Sequence, residues 1–206
     1  MKILVIDSTT RNNGSNITNK TLAKKPAPDD YLDHSDDIYN IFQKHIKRSV
    51  RVEYIFVHIA DDTDHDNAYV SIKNHINFNK TLEWALEQGD IDIIYGGITF
   101  YNKGHNKRDR TKFTKLSKRT EELVAQLNIP VVCPAENCQD ERDRYKFVQI
   151  SPPVESKNVY YISSVKHSWG GTYSLVGMEG TRKQRNDEYS SRLSAMFICQ
   201  IINNCS

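Results

Sequence analysis

The chain has 206 residues, enough for one domain with a sizeable core and too few for two comfortable ones. Hydrophobic residues make up 38% and charged residues 26%, a globular balance, and a formal net charge of +2 gives no global pull toward nucleic acid or a membrane surface. No apolar run approaches the length of a bilayer span, so no membrane partner is expected, and Cys133, Cys138, Cys199 and Cys205 lack the paired spacing of a structural zinc site.

The chain opens with a strand, Ile3 to Ile6, ending at Asp7. This apolar run is too short for the core of a secretory signal, so a cytoplasmic location with reduced cysteines is expected. The polar stretch Ser8 to Lys20 reads as a loop, and Pro26 and Pro28 keep the next segment irregular. From Ser35 a helical period places Ile38, Ile41, Phe42, His45 and Ile46 on one face. Arg51 to Ile59 is strand-like, and the acidic loop Asp61 to Asp66 follows. A helix is expected near Asn77 to Gln88, stopped by Gly89. Ile91 to Tyr95 is a buried strand ending at Gly96-Gly97, and a helix is expected near Lys112 to Leu127. Pro130 to Cys133 is a strand entering the loop Ala135-Glu136-Asn137. Val159 to Val165 is another strand, and the last helix runs from about Ser191 to Ile202.

Short apolar strands alternating with amphipathic helices indicate an α/β fold with a central, mainly parallel sheet flanked by helices, in a single domain over residues 1–206. Ligands of such sheets bind beyond the carboxyl ends of the strands, where Asp7, Gly96-Gly97 and Asn137 all fall. Cys133 and Cys199 sit in apolar runs and read as core.

A hydroxyl nucleophile needs a base to take its proton and an orienter to hold that base in the right tautomer. Asp7 at a strand end, His34 before a helix and Ser191 at the start of the last helix supply the three types in the order Asp, His, Ser. Taken singly, each has a plainer use: a turn acid, a loop histidine, a helix cap. Their contexts are Val5-Ile6-Asp7-Ser8-Thr9, Asp33-His34-Ser35-Asp36-Asp37-Ile38 and Tyr189-Ser190-Ser191-Arg192-Leu193-Ser194-Ala195. Together with the strand and loop Val131 to Asn137, these resemble the motifs of the subtilisin-like serine peptidases.

The resemblance implies a subtilisin-like fold and a serine endopeptidase. Ser191 would be the nucleophile, His34 the general base, Asp7 its orienter and Asn137 the oxyanion donor. It also implies that the backbone from Tyr95 through Gly96 and Gly97 to Ile98 pairs with an extended peptide or protein substrate. No cofactor is required. Calcium is common in the family, but its ligands do not map onto residues here. The chain departs from the family at glycine positions: Thr9, Ser35-Asp36, Glu136 and Tyr189-Ser190 stand where glycine or Gly-Thr is usual. That leaves two expectations, a selective processing peptidase and, as the alternative, an inactive subtilisin-like domain that binds peptide or protein. The basic run Lys103 to Arg119 reads first as a solvated helix face and second as a surface for an acidic partner; nucleic acid is the weaker choice.

Overall fold

The structure is a computed structural model that describes residues 1–23, 30–60, 68–97, 100–101, 107–134, 149–150, 158–163, 175–177 and 190–205. Its strands are β1 (Lys2–Asp7), β2 (Ile17–Thr21), β3 (Glu53–His58), β4 (Ile93–Gly96), β5 (Phe100–Tyr101), β6 (Val131–Pro134), β7 (Gln149–Ile150), β8 (Val159–Ser163) and β9 (Leu175–Gly177). The helices are α1 (Asp30–His45), α2 (Ala68–Gln88), α3 (Lys107–Leu127) and α4 (Ser190–Asn204). Among the described residues, seven strands form one sheet in the order β2-β3-β1-β4-β6-β8-β9, with every pairing parallel. β5 and β7 form a separate antiparallel pair. No helix among the described residues is long and apolar enough to cross a membrane.

Strand residues alternate between two apolar layers, as the period of two requires. Leu4, Ile6, Val57 and Ile94 meet Phe78, Leu82 and Ala85 of α2 and Phe113, Leu123 and Val124 of α3. Ile3, Val5, Phe56, Tyr95 and Val132 meet Ile38 and Phe42 of α1 and Leu193, Ala195, Ile198 and Ile202 of α4. Cys133 and Cys199 are buried, one in each layer.

The units β2–α1–β3 and β3–α2–β4 both step the same way along the sheet, yet α1 and α2 cover opposite faces. The two crossovers therefore have opposite hands. The β4–α3–β6 crossover shares the hand of the α2 unit. The consequence is that α1 lies beside α4, not beside α2.

Several elements differ from expectation. β2 falls inside the stretch read as a loop: as an edge strand it is mostly exposed, so it carries no apolar alternation. α1 begins at Asp30, so His34 lies within the helix and not ahead of it. α2 begins at Ala68 and α3 at Lys107. The early half of α2 buries polar side chains, which hides its period. The His75 Nε2–H donates to Thr120 Oγ1 at 2.9 Å, and the Thr120 hydroxyl lies 2.6 Å from Asn79 Oδ1. Burial pushes the His75 imidazole down to about 4, so it packs as the neutral ring. Gly89 does end α2, with φ of 68°.

The α1 contact with the sheet is the one that carries His34. Phe42 has no exposed surface there, whereas Leu22 is 42% exposed. Phe42→Ala is expected to cost about 3–5 kcal/mol in urea denaturation and Leu22→Ala about 0.5 kcal/mol or less. Equal losses would place the core elsewhere.

Candidate functional site

β1 sits between β3 and β4, where the chain turns from building one half of the sheet to building the other. The carboxyl ends of strands at such a switch leave a crevice. Asp7, His58 and Gly96 are the last residues of β1, β3 and β4. Asp7 pairs in register with His58, and Ile6 with Gly96. Asp7 shares parity with Ile3 and Val5, so its side chain falls on the α1 and α4 face.

There it meets His34. Nδ1 of His34 stands 2.6 Å from Oδ2 of Asp7, with the carboxylate side chain only 4% exposed and the imidazole 36% exposed. A carboxylate only accepts, so Nδ1 carries the proton and donates it. In the neutral ring this leaves the Nε2 lone pair as the basic site, the tautomer a general base requires. The Asp7 charge, acting through space and through the hydrogen bond, holds His34 above its ordinary 6.5 against the opposing effect of burial. Asp37 adds to the rise and Arg192 opposes it.

The residues that follow His34 fasten α1 to the rest of the site. Ser35 is fully buried; its hydroxyl donates to the Ser8 carbonyl at 3.0 Å and accepts from the Ser8 hydroxyl at 2.6 Å and the Ser8 N–H at 3.2 Å. Asp36 Oδ1 accepts from the Thr10 hydroxyl, from the Arg11 N–H at 2.9 Å and from the Asn12 amide at 3.2 Å. Asp37 Oδ2 is 2.5 Å from a guanidinium nitrogen of Arg192. Ser35 and Asp36 are departures from the family motif when read as sequence. In the structure they tie the helix of His34 to the loop after Asp7. Neither they nor Asp37 and Arg192 were found by sequence reasoning, and the only signal was that Ser35 and Asp36 break the glycine pattern.

Ser191 lies in the first turn of α4 with 7% of its surface exposed. The Tyr95 hydroxyl lies 3.4 Å from the Ser191 carbonyl and donates to it, joining β4 to α4. Burial, reinforced by the charge of Asp7, raises the Tyr95 phenol well above its ordinary 10, so it remains a neutral donor. Among the described residues no hydrogen bond joins the Ser191 hydroxyl to His34. Arg192, the residue after Ser191, pairs with Asp37, which lies about one helical turn beyond His34 on α1. In unliganded sites a nucleophile–base bond is often long.

The peptide-pairing role expected of Tyr95, Gly96 and Gly97 meets an obstacle. β4 is a central strand: Tyr95 pairs with Val5 on one side and Val132 on the other, and Gly96 pairs with Ile6. The Gly97 N–H donates to the Ile6 carbonyl at 3.0 Å. These groups are already used by the sheet and are not an open edge for strand addition. Gly97 has another task. A Cβ there would stand 2.9 Å from Cγ of Asp7, so the missing side chain makes room for the carboxylate. Asn137, Ile98 and the acidic loop Asp61 to Asp66 lie outside the described residues. Among the described residues no group of three or more His, Cys, Asp or Glu side chains could hold a metal ion.

Two outcomes follow from this geometry. Gly97→Ala should push the Asp7 carboxylate off His34 and cost about 1–3 kcal/mol in stability; a variant of wild-type stability with an unshifted His34 ring signal would contradict the packing. Removing the Asp7 charge should lower the His34 titration. Because His34 is raised in the folded state, its contribution to stability is full below 6.5 and fades as pH rises through the raised value. In Asp7→Asn that contribution should be smaller and its loss complete at a lower pH, and ¹H–¹⁵N spectra of the imidazole should show a lower midpoint. An unchanged midpoint would mean that Asp7 does not control His34.

No protein-family model, no curated protein and no solved structure matches this chain.

Proposed function

We propose that this protein is a serine endopeptidase with a subtilisin-like arrangement, working through an acyl-enzyme. The observation that carries this is the Asp7–His34 hydrogen bond of 2.6 Å at the carboxyl end of β1, which leaves Nε2 of His34 as the base. The position of Ser191 in the first turn of α4, beside α1, supports its role as nucleophile. His34 takes the Ser191 proton as the hydroxyl attacks a peptide carbonyl, and it returns that proton to the leaving amine. Asp7 stays ionised throughout and stabilises the imidazolium. The N-terminal end of α4 favours the negative charge that develops on the carbonyl oxygen. Asn137 is the proposed side-chain donor to that oxygen. The chemistry calls for no cofactor.

The substrate is a peptide or protein, and the proposed role is selective intracellular processing. The basic run has a second proposed use, recruitment of an acidic partner. Arg108, Lys112, Lys115 and Lys118 are exposed on α3, while Arg119 is engaged by Glu83 at 2.9 and 3.1 Å and by Glu122 at 3.5 Å.

A second function is favoured by one observation. Ser191 is 7% exposed and makes no hydrogen bond to His34 among the described residues, which suits an inactive domain that binds peptide or protein. Reaction with a fluorophosphonate, followed by peptide mapping, separates the two. The enzyme should be labelled at Ser191, and Ser191→Ala should be blank. His34→Ala should be both unlabelled and reduced to the residual level, about 10³–10⁴-fold over water, that remains without a triad member. A wild-type protein that stays unlabelled from pH 6 to 9 would move the assignment to the binding domain.

A further inference from the structure

α1 and α4 run side by side on one face of the sheet and are pinned at both ends. At the far end, Asn203 Oδ1 accepts from the Lys47 N–H at 3.0 Å, the Asn203 carbonyl accepts from Lys47 Nζ at 2.9 Å, and Asn203 Nδ2 donates to the His45 carbonyl at 2.9 Å. Between the ends, Ile38 and Phe42 pack in one layer with Leu193, Ala195 and Ile198. At the near end stands the Asp37–Arg192 pair, 2.5 Å apart and 49% and 41% exposed. An ion pair so open to water is worth little as stability and is screened by salt. The helices are already held without it. Arg192 directly follows Ser191 in the first turn of α4, and Asp37 lies three residues beyond His34 on α1.

We infer that the Asp37–Arg192 ion pair is a positioning clamp that seats Ser191 against the His34 end of α1. In this role Arg192 and Asp37 are positioning residues, acting through Ser191 and His34. The effect on turnover rests on the serine peptidase proposed above, but the placement can be read without any activity. Three charges face His34: Asp7 from β1, Asp37 from its own helix and Arg192 from α4. The Tyr95 phenol behind them stays neutral. If the pair sits beside His34 as a clamp, its two members must act on the imidazole with opposite sign.

The experiment is a pH titration of the His34 ring by ¹H–¹⁵N spectroscopy on the full chain. It compares the wild type with Asp37→Asn, with Arg192→Gln and with the charge-exchanged double variant Asp37→Arg/Arg192→Asp. The clamp requires a lower His34 midpoint in Asp37→Asn and a higher one in Arg192→Gln. Melting temperatures should stay within about 4 °C of wild type. In parallel, kcat on a cleavable peptide should fall about ten-fold in each single variant, since small misplacement of a nucleophile is expensive in rate. The exchanged double variant should regain most of that loss, which a purely structural contact with substrate would not allow. Midpoints that do not move, or move in the same direction, would overturn the clamp, as would single variants with wild-type kcat. If the wild type takes no fluorophosphonate label, the peptidase assignment fails, and the backbone amide signals of Ser191 and Arg192 decide the clamp: they should move in Asp37→Asn and return in the exchanged double variant, and signals that stay in place would overturn it.

Discussion

A carboxylate at the end of a buried strand has to find a partner, and in this protein that requirement organises the site. Asp7 is 3% exposed at the carboxyl end of β1. Ionised and alone there, it would carry a large desolvation cost. The imidazole of His34 offsets that cost by donating through Nδ1. The same bond selects the tautomer and raises the basicity of the ring. Stabilisation of a buried charge and selection of the imidazole tautomer are thus one interaction.

The surrounding contacts keep that interaction in place from three directions. Gly97 leaves space on the β4 side. Ser35 and Asp36 lock α1 to the loop after β1 through buried or half-buried hydrogen bonds, each contributing about 1 kcal/mol, more where a charge takes part. Tyr95 reaches from β4 to α4. Successive residues of α1 therefore have different partners: His34 holds β1, Ser35 and Asp36 hold the following loop, and Asp37 holds α4. Helical geometry makes this practical, because residues 100° apart face different neighbours while remaining within one turn. The glycines expected at some of these positions would supply slimness. The side chains present supply hydrogen bonds.

The contacts around the Asp7–His34 pair combine a stiff and a soft element. The apolar layers are buried, and the Asp7 side of the β1–α1 hydrogen bond is nearly so. The Asp37–Arg192 contact is half exposed. The Asp7–His34 pair is thus firmly held, while the first turn of α4 is joined to α1 by a contact that salt can screen.

Much of the architecture was legible in the sequence. Runs such as Ile3 to Ile6 and Ile91 to Tyr95 bury both faces, so their strands declare themselves by composition. Ile38, Phe42, Leu82 and Ile198 mark the inward faces of helices by spacing alone. β2 was hidden because an exposed edge strand buries too little to leave a pattern, and the start of α2 was hidden because its inward residues include His75 and Asn79, satisfied by Thr120. Asp7 and His34 could be named from their contexts, but only the tertiary structure brings them to 2.6 Å across a separation of 27 residues. The face of the sheet that α1 covers decided this: on the α2 face, the sheet would stand between His34 and the first turn of α4. Which face a helix covers is settled by how whole layers pack, and no local run of residues encodes it. Asp37 and Arg192, 155 residues apart, read as ordinary surface charges until the two helices lie side by side.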